Sequence, residues 1–63
     1  MEVTATLKNY TQFGECYVGE IYGDTRGWFV DGALIRTSRT QKVEGGFLYT
    51  TNSVYKLEDP ING

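Results

Sequence analysis

The chain contains no histidine, one cysteine and one proline in 63 residues. The absent histidine removes the commonest general base, the commonest zinc ligand and the usual pH switch. A lone Cys16 makes neither an internal disulfide nor a thiolate zinc cage, and it reads as a small, half-buried apolar side chain. A secreted domain of this size usually carries several disulfides, so the expected compartment is a reducing cytoplasm. No apolar run approaches the roughly 18 residues of a membrane span. The opening MEVTATLKN lacks the basic and apolar regions of a signal peptide.

Chemistry is equally sparse. No two acidic residues form a recognisable catalytic pair by spacing. Asp24-Thr25-Arg26-Gly27 lacks the glycine pattern of a phosphate loop and reads as a turn in which the aspartate bonds its own backbone. Thr37-Ser38-Arg39-Thr40 has hydroxyls without a base to activate them. The expectation is a protein that is not an enzyme and has no catalytic residue, metal or cofactor.

What is present is turn and strand material. Eight glycines, five tyrosines, three phenylalanines and a tryptophan favour a tightly turned β structure. Residues 1–63 suffice for one small domain with a single core. Val3-Thr4-Ala5-Thr6-Leu7 alternates apolar and polar with period two, the mark of a half-buried strand. Residues 10–15 read as a loop. Cys16 to Tyr22 is strand-like and ends on the turn signal Gly23-Asp24. No window carries helical apolar spacing.

Three hairpins are expected. Asp31-Gly32 favours a type I′ turn, which pairs Val30 with Ala33, Phe29 with Leu34 and Trp28 with Ile35. Trp28, Val30, Ala33 and Ile35 then share the core face. Gly45-Gly46 pairs Val43 with Leu48. Asn52-Ser53, as a two-residue turn, pairs Leu48 with Leu57 and Thr50 with Tyr55. Val43, Leu48 and Leu57 then line the core, and Lys42, Tyr49 and Lys56 form a solvent-facing row held by cross-strand packing and cation–π attraction. The expected fold is all-β, a small antiparallel meander of six or seven strands. Apolar weight on both faces requires closure into an SH3-like or OB-like barrel, or sheet-on-sheet packing as a homodimer. Residues 59–63 read as a frayed tail.

Net charge is −2, against a general nucleic-acid binder. Yet Arg26, Arg36, Arg39 and Lys42 face only Asp31 between Thr25 and Val43, which makes that segment locally +3. From Gly19 to Glu58, the succession Gly23-Asp24-Thr25-Arg26-Gly27, Phe29, Asp31-Gly32, Ile35-Arg36-Thr37-Ser38 and Thr51-Asn52-Ser53 with Tyr55 and Leu57 resembles small uncharacterised proteins encoded by bacteriophages and prophages. The resemblance implies a phage accessory gene and a compact β fold, and it carries no activity, cofactor or binding residue with it. Two functions are expected from this basis. The first is a protein-binding module that blocks a host factor, defence systems included, through Phe29, Arg36, Arg39, Lys42, Tyr49 and Lys56, aromatic and basic types enriched at interfaces. The second is nucleic-acid binding, with the cations of segment 26–42 on phosphates and an aromatic ring stacking a base. A membrane partner is not expected.

Overall fold

The computed structural model describes residues 3–61. Six strands make up one mixed sheet: β1 (Ala5–Phe13), β2 (Cys16–Tyr22), β3 (Ala33–Arg36), β4 (Thr40–Glu44), β5 (Phe47–Thr50) and β6 (Val54–Glu58). The described residues contain no helix, and hence none long and apolar enough to cross a membrane. Strand order is β3-β2-β1-β6-β5-β4. The chain is thus two antiparallel three-strand meanders joined by a parallel pairing of β1 with β6. This corrects the expected single meander in chain order. Local turn signals specify each meander, but the parallel seam joins the first strand to the last, and no turn residue encodes that.

Directly paired residues share a face. One face carries Ala5, Leu7, Ile21, Ile35, Leu48 and Tyr55, which form the buried core. Leu7, Ile21 and Leu48 are fully enclosed. The other face carries Thr6, Lys8, Glu20, Tyr22, Tyr49 and Lys56. The sheet is strongly coiled around its core face. Neighbouring strands lie about 4.8 Å apart, so four pairings would separate β2 from β4 by roughly 19 Å in a flat sheet. Instead Thr40 N, at the start of β4, donates to the Glu15 carbonyl just before β2 at 2.7 Å. Coiling of this kind lets a single layer of 28 × 23 × 18 Å enclose apolar side chains.

β1 runs on to Phe13, through the stretch expected to be a loop. A β-bulge makes this possible: β1 advances from Lys8 to Thr11 while β2 advances only from Glu20 to Val18. The extra residue, Asn9, adopts φ 50°, a left-handed conformation that asparagine tolerates. Its side chain then donates to Glu20 at 3.0 Å, and the Tyr22 hydroxyl donates to the same carboxylate oxygen at 2.8 Å. Beyond the bulge the Tyr10 and Tyr17 rings meet at 5.8 Å. Room for this comes from Gly19, where a Cβ would stand 3.0 Å from the Lys8 carbonyl and from Tyr10 Cα and Cβ. Because two of those obstacles are backbone atoms, Gly19→Ala is expected to cost about 1–3 kcal/mol by overpacking. A denaturant melt measures this, and an unchanged midpoint would show that the bulge adapts.

The Gly45-Gly46 hairpin forms as its sequence requires, with both φ angles positive (60° and 80°) and Val43 opposite Leu48. Val43 is nevertheless exposed, because β4 is an edge strand. The β5–β6 hairpin departs by two residues. Leu48 pairs with Tyr55 and Tyr49 with Val54, so the two-residue turn is Thr51-Asn52. Thr50 and Ser53 decide this register: Thr50 N donates to the Ser53 carbonyl at 2.9 Å, and Ser53 N donates to Thr50 Oγ1 at 3.0 Å. A slip of two preserves the faces, so Leu48 stays inside, but Tyr55 takes the core position beside it and Leu57 is only half-buried.

The Asp31-Gly32 hairpin does not form. A turn is present, closed by Ala33 N on the Val30 carbonyl, but only Gly32 has positive φ, whereas type I′ requires it at both central residues. Residues 28–30 are not a strand, and Ala33–Arg36 pairs with β2 instead, Gly19 opposite Ile35 and Ile21 opposite Ala33. Ile35 is buried as expected, but Trp28 and Val30 are exposed. At the tail, Ile61 N is held by the Tyr10 carbonyl at 2.8 Å; residues 62–63 of the expected fray lie outside the described residues.

Candidate functional site

Asp24 explains why residues 28–30 leave the sheet. Its carboxylate accepts from the backbone N–H groups of Arg26, Trp28 and Phe29 at 3.0–3.1 Å. These donors are thereby lost to any ladder, an instance of a short polar side chain competing with secondary structure. Asp31 closes the loop at its other end by accepting from Gly23 N at 2.8 Å. The segment 23–32 becomes a compact excursion whose apolar side chains have no sheet to pack on.

Arg26 ties that excursion to the rest of the fold. Its Nε donates to Asp24 at 2.9 Å and its Nη1 to the Ser53 hydroxyl at 2.9 Å, while the guanidinium lies 4.3 Å from the Trp28 ring centre. Burial pulls the Arg26 pKa down, but the Asp24 carboxylate and the Tyr55 hydroxyl outweigh it and push the pKa up, so the cation is secure. For Asp24 itself, burial raises the carboxyl pKa. Hydrogen bonds from the Arg26 side chain and from the Arg26, Trp28 and Phe29 backbone outweigh that, leaving it below the ordinary aspartate value.

Between this loop, the end of β3 and the β5–β6 turn lies a pocket of about 240 Å³. Trp28 and Phe29 form its loop wall, Ile35 and Tyr55 its floor, and Arg26 and Arg36 its charged groups. Asn52 and Ser38 close one end, joined by a 2.9 Å bond from the Asn52 amide to the Ser38 hydroxyl. No acidic side chain lines it. On the loop, Trp28 (70% exposed), Phe29 (42%) and Val30 (79%) present apolar surface to solvent, while Leu34 (73%) does so from the opposite face of the sheet, paired with Glu20.

The residues singled out in the sequence separate into two groups. Phe29 and Arg36 meet at this pocket. Lys42 and Tyr49 stand on the other meander, paired in the sheet with the Lys42 ammonium 4.7 Å from the tyrosine ring centre. Lys56 is on the same face but opposite Phe47, not Tyr49, so the expected straight row is broken by the shifted register. Arg39 lies between β3 and β4, in an exposed ion pair with Glu15 at 3.1 Å. The pocket's other contributors were not singled out as a site in the sequence. Trp28 and Ile35 read there as a paired core strand, and Ser53 as turn filler. The signal that could have revealed the loop is Asp24 placed two, four and five residues before the N–H groups it accepts from.

Among the described residues, no group of three or more Cys, Asp and Glu side chains is placed to hold a metal ion. Comparison with protein-family models, curated proteins and solved structures found no match.

Proposed function

We propose that the chain is a non-enzymatic protein-binding module, phage-encoded, that acts by occupying the surface of a host protein in the host cytoplasm. The single observation that carries this reading is the run of exposed Trp28, Phe29 and Val30 on the loop beside the pocket. Large apolar side chains gathered on one surface of a small protein mark an interaction site, and tryptophan and arginine are among the residue types enriched at interface hot spots. The phage setting rests on the sequence resemblance.

The basic segment supports nucleic acid less well. Arg26, Arg39 and Lys42 each hold an acid of their own, Asp24, Glu15 and Glu44, so their charge is already partly balanced. The finer architecture belongs to the same proposal. The Thr40–Glu15 bond supports a small SH3-like or OB-like barrel in which the sheet nearly closes, with the apolar surface left for a partner.

The test is capture from a proteobacterial lysate on the immobilised chain. One band is expected that survives nuclease treatment and is lost when Trp28 and Phe29 are both replaced by serine. Capture by the doubly substituted chain would remove the surface from the proposal. A nuclease-sensitive band would favour nucleic acid, since phosphate contacts weaken steeply with salt. Light scattering on dilution separates a second outcome: a mass of twice 7.1 kDa that is lost with the same two substitutions would show that another copy of the chain covers this surface.

A further inference from the structure

The face of the sheet turned away from the core carries a pattern of its own on β2 and β3. Directly paired residues share a face, so Glu20 and Leu34 form one row across these strands, and Val18 and Arg36 form the next. All four lie on the outer face, because the core residues Ile21 and Ile35 alternate with them along the strands. They mark the corners of a rectangle of about 4.8 by 6.8 Å, one strand spacing by two residues of rise. Val18 and Leu34 hold one diagonal, Glu20 and Arg36 the other. Phe13, paired with Cys16 one row beyond Val18, extends the apolar diagonal onto β1. Leu34 and Phe13 are both mostly exposed.

The charged diagonal is incomplete within the chain. Arg36 makes no ion pair with any described residue, although Glu20 is its diagonal neighbour. Glu20 accepts from the Asn9 amide and from the Tyr22 hydroxyl, both at Oε1. These bonds hold the carboxylate in place and leave Oε2 to accept from outside.

Such a pattern complements itself. With two sheets face to face, a two-fold axis laid along the apolar diagonal sets Leu34 and Val18 of one copy against the same residues of the other. The rotation exchanges the two sides of that diagonal. Arg36 of each copy therefore comes opposite Glu20 of the other, and one operation makes two ion pairs. This reciprocity is what an isologous contact requires. An unrelated partner would have to match the pattern corner by corner, whereas a second copy matches it by symmetry.

We infer that the chain forms a symmetric dimer through the outer face of β2 and β3, with Val18 and Leu34 at its centre and reciprocal Arg36–Glu20 pairs beside them. The inference goes beyond the protein-binding reading and does not depend on it, because the loop carrying Trp28 and Phe29 takes no part in the contact. The sheet coils around its core, so this face is convex and the contact is small. Dissociation on dilution is expected of it.

The test is sedimentation equilibrium of the full chain, taken up to millimolar loading, where the mass should rise towards twice 7.1 kDa. Arg36→Glu sets like charges opposite each other at both pairs and should weaken association about tenfold or more. Glu20→Lys should do the same. An equimolar mixture of the two variants restores opposite charges at both positions and should associate as the unsubstituted chain does. Leu34→Ser should abolish association without moving the melting temperature, measured at a loading where the unsubstituted chain is monomeric. A mass of 7.1 kDa at every loading would overturn the inference. So would a mixture of two folded variants that associates no better than its components. If Glu20→Lys does not fold, the other two variants decide, and undiminished association in both overturns the inference. Association that survives Leu34→Ser and is lost when Trp28 and Phe29 are both replaced by serine would also overturn it, by placing the second copy on the loop.

Discussion

Leu48→Ala is expected to lower stability by about 2–5 kcal/mol, enough to unfold a domain of this size. Leu48 is fully enclosed at the centre of β5, between Val43 of β4 and Tyr55 of β6. Removing its side chain leaves a cavity that a coiled single layer has little slack to close. The neighbouring Tyr49→Ala should cost only about 1 kcal/mol, since Tyr49 is half-buried on the opposite face and is flanked by Lys42 and Val54. Chemical denaturation of the two variants side by side checks the face assignment. A larger loss for Tyr49→Ala than for Leu48→Ala would mean that the pairing is displaced by one residue.

The second large effect is expected at Asp24. In Asp24→Ala, three backbone N–H groups and the Arg26 Nε lose their acceptor together. The loop 23–32 should open and Trp28 should leave the guanidinium it faces. The measurement is a thermal melt followed by tryptophan emission, with a lowered midpoint and an altered native spectrum expected. An unchanged native spectrum would show that Gly23, Gly27 and Asp31 hold the loop without Asp24. Acid titration gives an independent check. A carboxyl whose pKa is depressed in the folded state contributes stability above its unfolded pKa, about 3.9 for aspartate, and loses it as pH falls through the folded value. The unsubstituted protein should therefore weaken below about pH 4, and the Asp24 variant should show a shallower acid slope. The remaining slope has a source in Glu20, whose carboxyl the Tyr22 hydroxyl and then the Asn9 amide also hold below its ordinary value.

Parts of this fold are legible residue by residue. Alternation identifies Ala5 and Leu7 as core, and aromatic and β-branched content identifies Cys16–Tyr22. Gly45-Gly46 fixes the β4–β5 register because two adjacent glycines admit the two positive φ angles that a type I′ turn needs. Asp31-Gly32 carries a comparable signal and misleads. Its turn forms, but the strand that should precede it is drawn off by the Asp24 carboxylate. The pocket was hidden for the same reason: Trp28 reads as core only if residues 28–30 are a strand. Phe29 and Arg36 were legible as binding types, but their meeting with Arg26 depends on the loop's path.

The sequence by itself determined that the chain is all-β, which segments lie flat on a sheet and which face most of them bury, because period-two patterning and turn chemistry act over a few residues. Only the tertiary structure decided the parallel seam between β1 and β6, the bulge at Asn9, the two-residue shift of the last hairpin and the clustering of Arg26, Arg36 and Trp28. Each of these depends on groups far apart in the chain: Ala5 with Tyr55, Gly19 with Tyr10, Arg26 with Ser53. Local propensity is silent about such pairings, because their energy exists only once coiling of the sheet has brought both partners together.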